Sequence, residues 1–352
     1  MSEKTSEEKV PYPQIVVAGA GSVGCFVGGM LARGAHHVTL LVRPRLEEVL
    51  ARQGLTLTDF EGLDEELAPD MFYRSVDPAC LAAADIILVT VKSGDTAEMA
   101  DLIRAHAKPE AVVVSLQNGV GNGGVLKSAL PGFDVRAGMV PFNIVSMGGG
   151  RFHRGTSGDI VIEKGPGWLA WTLSVKGLTV HERDAMVPIQ WGKLLINLNN
   201  ALNALAGMPL RDQLRSMGWR RIMADQLSEA IRVLEAAEIE AVMPLNRRLP
   251  IRIMPKILRL PSLLFNWVAR SMLTIDPNAR SSMWEDLQEG RRTEIDELQG
   301  MIVELGREKG IKTPINACVA ELIREAEAKG AGSPQLFPRD MRRLVRVQKQ
   351  SA

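Results

Sequence analysis

Residues 15–24 read IVVAGAGSVG, an apolar run that ends in G-x-G-x-x-G. In such a turn Gly19 permits the tight reversal, and Gly21 lets the backbone approach a pyrophosphate. Gly24 lets the following helix pack close to the strand, whose neighbouring helix N-terminus offers free N–H groups and a positive dipole end. A glycine turn alone is weak evidence, because purely structural turns share it. Here it follows a strand-like run over residues 15–18 and opens a helix over residues 23–33. The pattern predicts a Rossmann-type fold with a bound nicotinamide dinucleotide, held by Gly19, Ala20, Gly21, Ser22, Val23 and Gly24.

The chain continues in the same rhythm. A second strand is expected over residues 37–42, and an apolar run over 85–92 is followed by a helix over 96–106. Another strand, over 111–116, closes on Gln117-Asn118-Gly119. Strands alternating with helices imply a parallel sheet covered on both faces. Residues 135–162 show strands joined by glycines with no helix between them, expected as antiparallel strands appended to that sheet. From residue 188 onward the periodicity is helical, over 191–205, 220–238, 282–309 and 317–329. The expected domains are a loose tail over 1–13, an NADP-binding Rossmann-type domain over 14–186, an all-helical catalytic domain over 187–330 and a basic C-terminal tail over 331–352.

Composition removes several functional classes. Lys and Arg number 42 against 41 acidic residues, so no net field favours nucleic acid or an anionic membrane. Residues 15–31 are apolar but carry five glycines after an acidic start, unlike a signal peptide. Arg252, Lys256, Arg259 and Arg270 interrupt the apolar stretch at 251–273, which excludes a spanning helix there. Cys25, Cys80 and Cys318 lie far apart without a CxxC, as expected for reduced thiols in the cytoplasm. The five histidines show no metal-ligand spacing, no HExxH is present, and His153 reads as structural.

The end of the second strand separates NAD from NADP. NAD enzymes place an acid there for the ribose 2′-hydroxyl, whereas an arginine pairs with a 2′-phosphate. Here the strand runs into Arg43, with Arg45 beyond. A solvated surface arginine is the plain alternative; the missing acid and the present base together favour NADP(H).

The second informative stretch is WGKLLINLNNALNAL, residues 191–205. At 100° per residue, Lys193, Asn197 and Asn200 fall within an arc of about 60°, with leucines on the other faces. A buried lysine flanked by amides is costly unless an anionic group meets it. The alternative is a lysine snorkelling to solvent, with the asparagines bonded to nearby backbone. A third segment, SSMWEDLQEGRRTEID over 281–296, opens with capping-box spacing from Ser282 to Glu285, so Ser282 also reads as a helix cap. Glu294 is expected in mid-helix, where nothing in the spacing separates it from other glutamates.

These pieces together resemble the 2-dehydropantoate 2-reductase (ketopantoate reductase) family. The resemblance runs through residues 15–24, LVTVKSGDTAEMADLI (88–103), SLQNGVGN (115–122), RAGMVPFNIV (136–145), 191–205 and 281–296, in the family's order over nearly the whole chain. It implies a Rossmann domain with a helical domain and reduction of 2-dehydropantoate to (R)-pantoate with NADPH, a step of pantothenate and coenzyme A biosynthesis. It also implies that Lys193 is the catalytic lysine and Glu294 its paired glutamate. Lys92 and Asn118 match residues on the nicotinamide and substrate side, Asn197 and Ser282 match substrate contacts, and Arg43 matches a position near the adenosine phosphate. One position departs: many members carry a second asparagine eight residues after the lysine, where this chain has Ala201 and the nearest asparagine is Asn200.

The expected reaction is hydride transfer to the ketone carbon of a 2-oxo acid, with Lys193 as proton donor and Asn197, Asn200 and Ser282 holding the substrate. The alternatives are an NADP-dependent enzyme acting on another small 2-oxo or hydroxy acid, and an NADP-sensing protein without turnover. The expected partners are a small-molecule substrate and a second copy in a homodimer, with no nucleic acid, membrane or metal.

Overall fold

The structure is a computed structural model that describes residues 13–243, 250–270 and 276–351. The expected N-terminal tail falls almost wholly outside these residues, as do parts of the apolar stretch around residues 245–276. The chain divides into two compact units, Met1–Met186 and Val187–Ala352.

The first unit begins with β1 (Gln14–Ala18), α1 (Ser22–Arg33), β2 (His37–Leu41), α2 (Pro44–Gln53), β3 (Leu55–Asp59), β4 (Asp64–Leu67) and β5 (Tyr73–Ser75). It continues through β6 (Ile86–Val89), α3 (Thr96–His106), β7 (Val112–Ser115), α4 (Asn122–Ala129) and β8 (Asp134–Met139). β9 (Ile144–Gly148), β10 (Arg151–Arg154), β11 (Ile160–Glu163), α5 (Leu169–Leu173) and β12 (Val180–Arg183) complete it.

Eight strands form one sheet in the order β12-β11-β8-β7-β6-β1-β2-β5. All neighbours are parallel except β8 and β11. Both faces are buried, and the strand period of two explains the division. Ile15 and Val17 of β1, with Ile86 and Leu88 of β6, enter the core under α1. Val16, Ala18, Ile87 and Val89 enter the core under α3 and α4 on the opposite face. The chain leaves β1 toward β2 and later returns to β6 on its other side, so the strand order reverses at the C-terminal ends of β1 and β6. Such a reversal is where open parallel sheets bind ligands.

The helix-free region differs from expectation in two respects: β8 joins β7 in parallel rather than antiparallel, and its strands do not all enter one sheet. β8 and β11 join the large sheet, but β9 and β10 turn away and build a second sheet in the order β4-β3-β10-β9. The physical reason is α1, whose outer face also needs an apolar cover. Leu55, Leu57, Leu67, Ile144 and Phe152 of the small sheet share a core with Phe26 and Met30 of α1. A buried ion pair then ties the small sheet together: Arg154 on β10 lies 2.5 Å from Asp59 on β3, with its guanidinium against Phe26 and Phe142. His153 points to Thr58, Nδ1 to Oγ1 at 2.8 Å, which gives it a structural place.

The second unit is helical. It contains α6 (Val187–Ala206), α7 (Leu210–Arg215), α8 (Met217–Ala236), α9 (Met254–Leu258), α10 (Ser262–Val268), α11 (Ser282–Gln288), α12 (Met301–Glu308), α13 (Pro314–Lys329) and α14 (Pro338–Ser351). The basic C-terminal segment therefore carries a helix, and its Met341 is fully buried. α6 is long and buried on most of its surface. The single helix expected over 282–309 is instead interrupted. Gly290 takes φ +63°, and Asp286 receives both the backbone N–H and the Nε–H of Arg291. The chain resumes as a π-turn, Asp296–Gly300, that leads into α12.

Arg220 of α8 is fully buried, with no carboxylate partner among the described residues. It donates to the carbonyls of Leu214, Arg215, Leu258 and Leu260 and to Ser262 Oγ, with Phe265 against its face. Backbone dipoles thus replace a counter-ion, and they seat α9 and α10 on α8.

Candidate active site

The glycine turn has the local geometry that a dinucleotide requires. Gly19 adopts φ +78°, and a Cβ there would lie 2.1 Å from a Val91 methyl. At Gly24 a Cβ would meet Thr90 Oγ1 at 2.4 Å and Val17 at 2.9 Å. Side chains are therefore excluded where strand, helix and β6 converge, while the space over Gly21 is open. Thr90 Oγ1 donates to the Gly19 carbonyl at 3.0 Å, and the Cys25 thiol donates to the Ala20 carbonyl at 3.2 Å. The Gly21 side of α1 carries no capping side chain and no acid in its first turn. Its N-terminal N–H groups and dipole remain directed at the open space, as a pyrophosphate would need. The residues present fit a dinucleotide.

Three further expected residues lie at the same C-terminal edge of the parallel strands. Arg43 follows β2 and precedes α2 in extended conformation, with φ −73° and ψ 152°. Its side chain is 90% exposed and stands 3.6 Å from the Asp95 carboxylate. This is a long, solvated ion pair that an incoming phosphate can displace. Lys92 follows β6, and Asn118 follows β7, half-buried, one residue before Gly119 at φ +85°. The sheet topology alone brings these separated segments to one edge.

Within the helical unit, Lys193 and Asn197 of α6 are 9% and 5% exposed, and Asn200 is half-buried. Burial lowers the Lys193 ammonium from 10.5 to about 8. At 9% exposure the Lys193 side chain is largely withdrawn from solvent. The adjacent Gly192 explains part of this packing. A Cβ there would lie 1.8 Å from the Val242 carbonyl oxygen, because residues 240–243 cross the first turn of α6 and Val242 N–H donates to the Pro188 carbonyl at 2.9 Å.

α11 packs beside α6, but the serine that joins them is Ser281. Its Oγ donates to the Asn200 carbonyl at 2.9 Å, its N–H donates to Asn203 Oδ1 at 2.9 Å, and its Oγ accepts from Trp284 N–H at 3.2 Å. Ser281, not Ser282, is therefore the helix cap. The capping-box spacing pointed one residue too far along, because in a serine pair the tertiary contact with α6 decides which one caps. Ser282 is left half-buried next to the cap. α6 runs unbroken through Asn200 and Ala201, and Ala201 is fully buried.

Glu294 is not in mid-helix. It sits half-buried in the bend that precedes the π-turn. The preceding Thr293 N–H donates to Glu327 Oε1 at 2.7 Å, and Gln299 of the π-turn donates to the Leu198 carbonyl of α6 at 2.7 Å. Both ends of this short segment are thus fixed within the helical unit, one of them directly on α6. In α11, burial raises the Glu285 carboxyl to about 8, with Asp286 and Glu289 adding to the rise against Arg291.

Sequence reasoning missed Ser281, Gln226 and Gln299, which bond to the backbone or side chains of α6, and Asn203 of α6 itself, which accepts the Ser281 N–H. Asn203 lies about 60° beyond Asn200 around the helix, outside the arc of the polar stripe, and the two glutamines had no local signal. Among the described residues no three His, Cys, Asp or Glu side chains converge as a metal site, and no helix is long and apolar enough to cross a membrane.

Comparison with known proteins meets this geometry at both units. Residues 15–167 match the family described as ketopantoate reductase PanE/ApbA, and residues 185–327 match its C-terminal domain. A 2-dehydropantoate 2-reductase of Halobacterium salinarum is 28% identical, over 90% of this chain and all of its own length. The crystal structure of a PanE/ApbA family ketopantoate reductase from Ralstonia eutropha JMP134 is 32% identical, covers 90% of this chain and 99% of that one, and superposes with a TM-score of 0.74. A D-mandelate dehydrogenase, solved with NADH and anilino(oxo)acetate, shares the fold at 21% identity and a TM-score of 0.72, over 90% of this chain and 99% of its own. The chain belongs to the ketopantoate reductase family and is an oxidoreductase of the class that acts on CH–OH groups.

Proposed function

We propose that this protein, working in the cytoplasm as a homodimer, uses NADPH to reduce 2-dehydropantoate to (R)-pantoate. The observation that carries the reading is Lys193, a buried ammonium on an apolar helix, lowered to about 8 and followed at helical spacing by Asn197 and Asn200. A general acid works best with a pKa near the operating pH, and ketone reduction requires a proton for the developing alkoxide.

When bound, a nicotinamide supplies a hydride. Gly19 to Gly24 and the N-terminus of α1 would hold its pyrophosphate, and Arg43 would meet the 2′-phosphate. Lys92 and Asn118 would face the nicotinamide end. Lys193 hydrogen-bonds the substrate carbonyl and gives its proton to the oxygen as negative charge develops. Glu294 orients Lys193 and accepts a bond from a substrate hydroxyl. Asn197, Asn200 and Ser282 hold the remaining hydroxyl and the carboxylate. A non-catalytic sensor has no use for a tuned proton donor, which argues against that alternative.

The test is steady-state turnover with NADPH on a panel of 2-oxo acids, together with Lys193→Ala. The variant is expected to lose roughly 10²- to 10⁴-fold in kcat while still binding NADPH. Near-normal kcat in Lys193→Ala sinks the role of the lysine. A second reading, reduction of a different small 2-oxo acid, is favoured by Ala201 in place of the asparagine that many family members carry. It prevails if another 2-oxo acid exceeds 2-dehydropantoate by more than about tenfold in kcat/KM, or roughly 1.4 kcal/mol.

A further inference from the structure

The loops that follow β6 and β7 carry Lys92 and Asn118, and they are joined by a buried set of polar side chains. Gln117 is 6% exposed. Its Nε2 donates to the Val91 carbonyl at 3.1 Å and to Thr96 Oγ1 at 2.7 Å, while its Oε1 accepts from Ser115 Oγ at 3.0 Å. Thr96, at the start of α3, is 2% exposed. Its hydroxyl lies 2.8 Å from the Ser93 carbonyl and 3.1 Å from Asn122 Oδ1. Asn122, at the start of α4, donates through Nδ2 to Ser93 Oγ at 2.9 Å and to the Asn118 carbonyl at 2.7 Å.

The arrangement spans both loops. Side chains from the β7 loop hold Val91 and Ser93, the residues on either side of Lys92. Asn122 in turn closes its own loop back onto Asn118. A fixed Asn118 carbonyl fixes ψ of Asn118, and with it the direction in which the chain leaves the end of β7. Neither α3 nor α4 needs this set for its own hydrogen bonds beyond the first turn.

We propose that Thr96, Gln117 and Asn122 are positioning residues that lock the β6 and β7 loops into one unit and thereby hold Lys92 and Asn118 at the reacting end of the cofactor. The inference rests on the functional reading given above for Lys92 and Asn118. Its physical basis is the steep cost of misplacement, since a shift of about 1 Å in a positioning group can cost roughly 10²-fold in rate.

The experiment compares Asn122→Ala, Thr96→Val, Thr96→Ser, Asn118→Ala and the double variant Asn118→Ala/Asn122→Ala. Amide hydrogen exchange of the cofactor-free protein, NADPH affinity by fluorescence, and kcat and KM for 2-dehydropantoate are measured on each. Asn122→Ala is half-buried, so its fold is expected to survive. The lock predicts exchange over residues 117–122 faster by about tenfold or more, with β1 and β6 unchanged. It also predicts a kcat loss of roughly 10- to 100-fold, with NADPH affinity within about twofold. Thr96→Ser keeps the hydroxyl and retains activity, whereas Thr96→Val follows Asn122→Ala. The double variant loses less than the product of the two single losses, because Asn122→Ala acts in part through Asn118. If Asn118→Ala is impaired while Asn122→Ala and Thr96→Val keep kcat, or if the double variant is additive, the network is merely structural and the proposal is overturned. If Asn118→Ala itself keeps normal turnover, the reading of Asn118 fails, and the proposal falls for that separate reason.

Discussion

At the scale of single residues, Lys193 makes two predictions from one cause. Burial lowers its pKa from 10.5 to about 8, so the folded protein releases the proton before the unfolded chain does. Between pH 8 and 10.5 the unfolded state binds more protons, and stability contributed at this site rises with pH. Measured against Lys193→Met by urea titration, the wild type is expected to gain about 3 kcal/mol across that window. A pH-independent difference between the two proteins would contradict the shift. In turnover the same group must be protonated, so ketone reduction is expected to decline above about pH 8.

Arg43 belongs to the same scale. Its long contact with Asp95 at 3.6 Å is solvated, so Arg43→Ala costs little stability, within about 0.5 kcal/mol. It is expected to weaken NADPH by roughly tenfold or more, as loss of a charge-assisted bond does, and NADH scarcely at all. Equal losses for the two cofactors in a fluorescence titration would refute the phosphate role.

At the scale of elements, α6 shows how a sequence pattern and a tertiary constraint meet. The polar stripe was visible because a 3.6-residue period aligns Lys193, Asn197 and Asn200. What was not visible was the strand of chain laid over Gly192, whose partner Val242 lies far along the sequence. Gly192→Ala would force the Val242 carbonyl away from a Cβ placed at 1.8 Å. The expected cost is about 1 to 3 kcal/mol by denaturant titration, and an unchanged midpoint would show that the crossing segment yields freely. The segment from 281 to 309 shows the opposite case. Its apolar period suggested one helix, yet Gly290 and the Asp286–Arg291 bonds stop the first, and a π-turn begins the next. Periodicity sees which residues are apolar and is blind to a left-handed glycine that keeps the phase while breaking the rod. Glu294 is placed by that break.

The junction of α8 and α13 adds a buried acid that no local signal marked. Glu229 of α8 is 3% exposed and accepts the N–H groups of Ile315 and Asn316 in the first turn of α13. Burial raises its pKa, although those bonds and the Asn316 side chain oppose the rise. A carboxylate at a helix N-terminus satisfies donors that the helix itself leaves open. Local sequence reasoning could not pair residues so far apart in the chain.

At the scale of the molecule, cofactor binding should be readable as stability. A ligand at about 100 times its Kd adds roughly 2.7 kcal/mol to the state that binds it. NADPH is therefore expected to raise Tm by a few degrees, and Arg43→Ala to abolish most of the rise. A wild-type Tm indifferent to NADPH would count against the cofactor assignment.

The sequence by itself determined the parallel sheet, the dinucleotide turn and the helical character of the second half, because each rests on short-range spacing. A strand buried on both faces must be apolar throughout, a turn against a pyrophosphate must lack side chains, and a helix must repeat its apolar face each turn. The GAGSVG turn and the stripe on α6 were legible for that reason. Only the tertiary structure decided that β9 and β10 leave the large sheet to cover α1, that Ser281 is the cap, that Glu294 stands at a break, and that Lys193 is buried. These outcomes depend on which distant surfaces compete to be covered and which buried polar groups find partners. That competition is settled by packing over the whole chain, and no local window of sequence contains it.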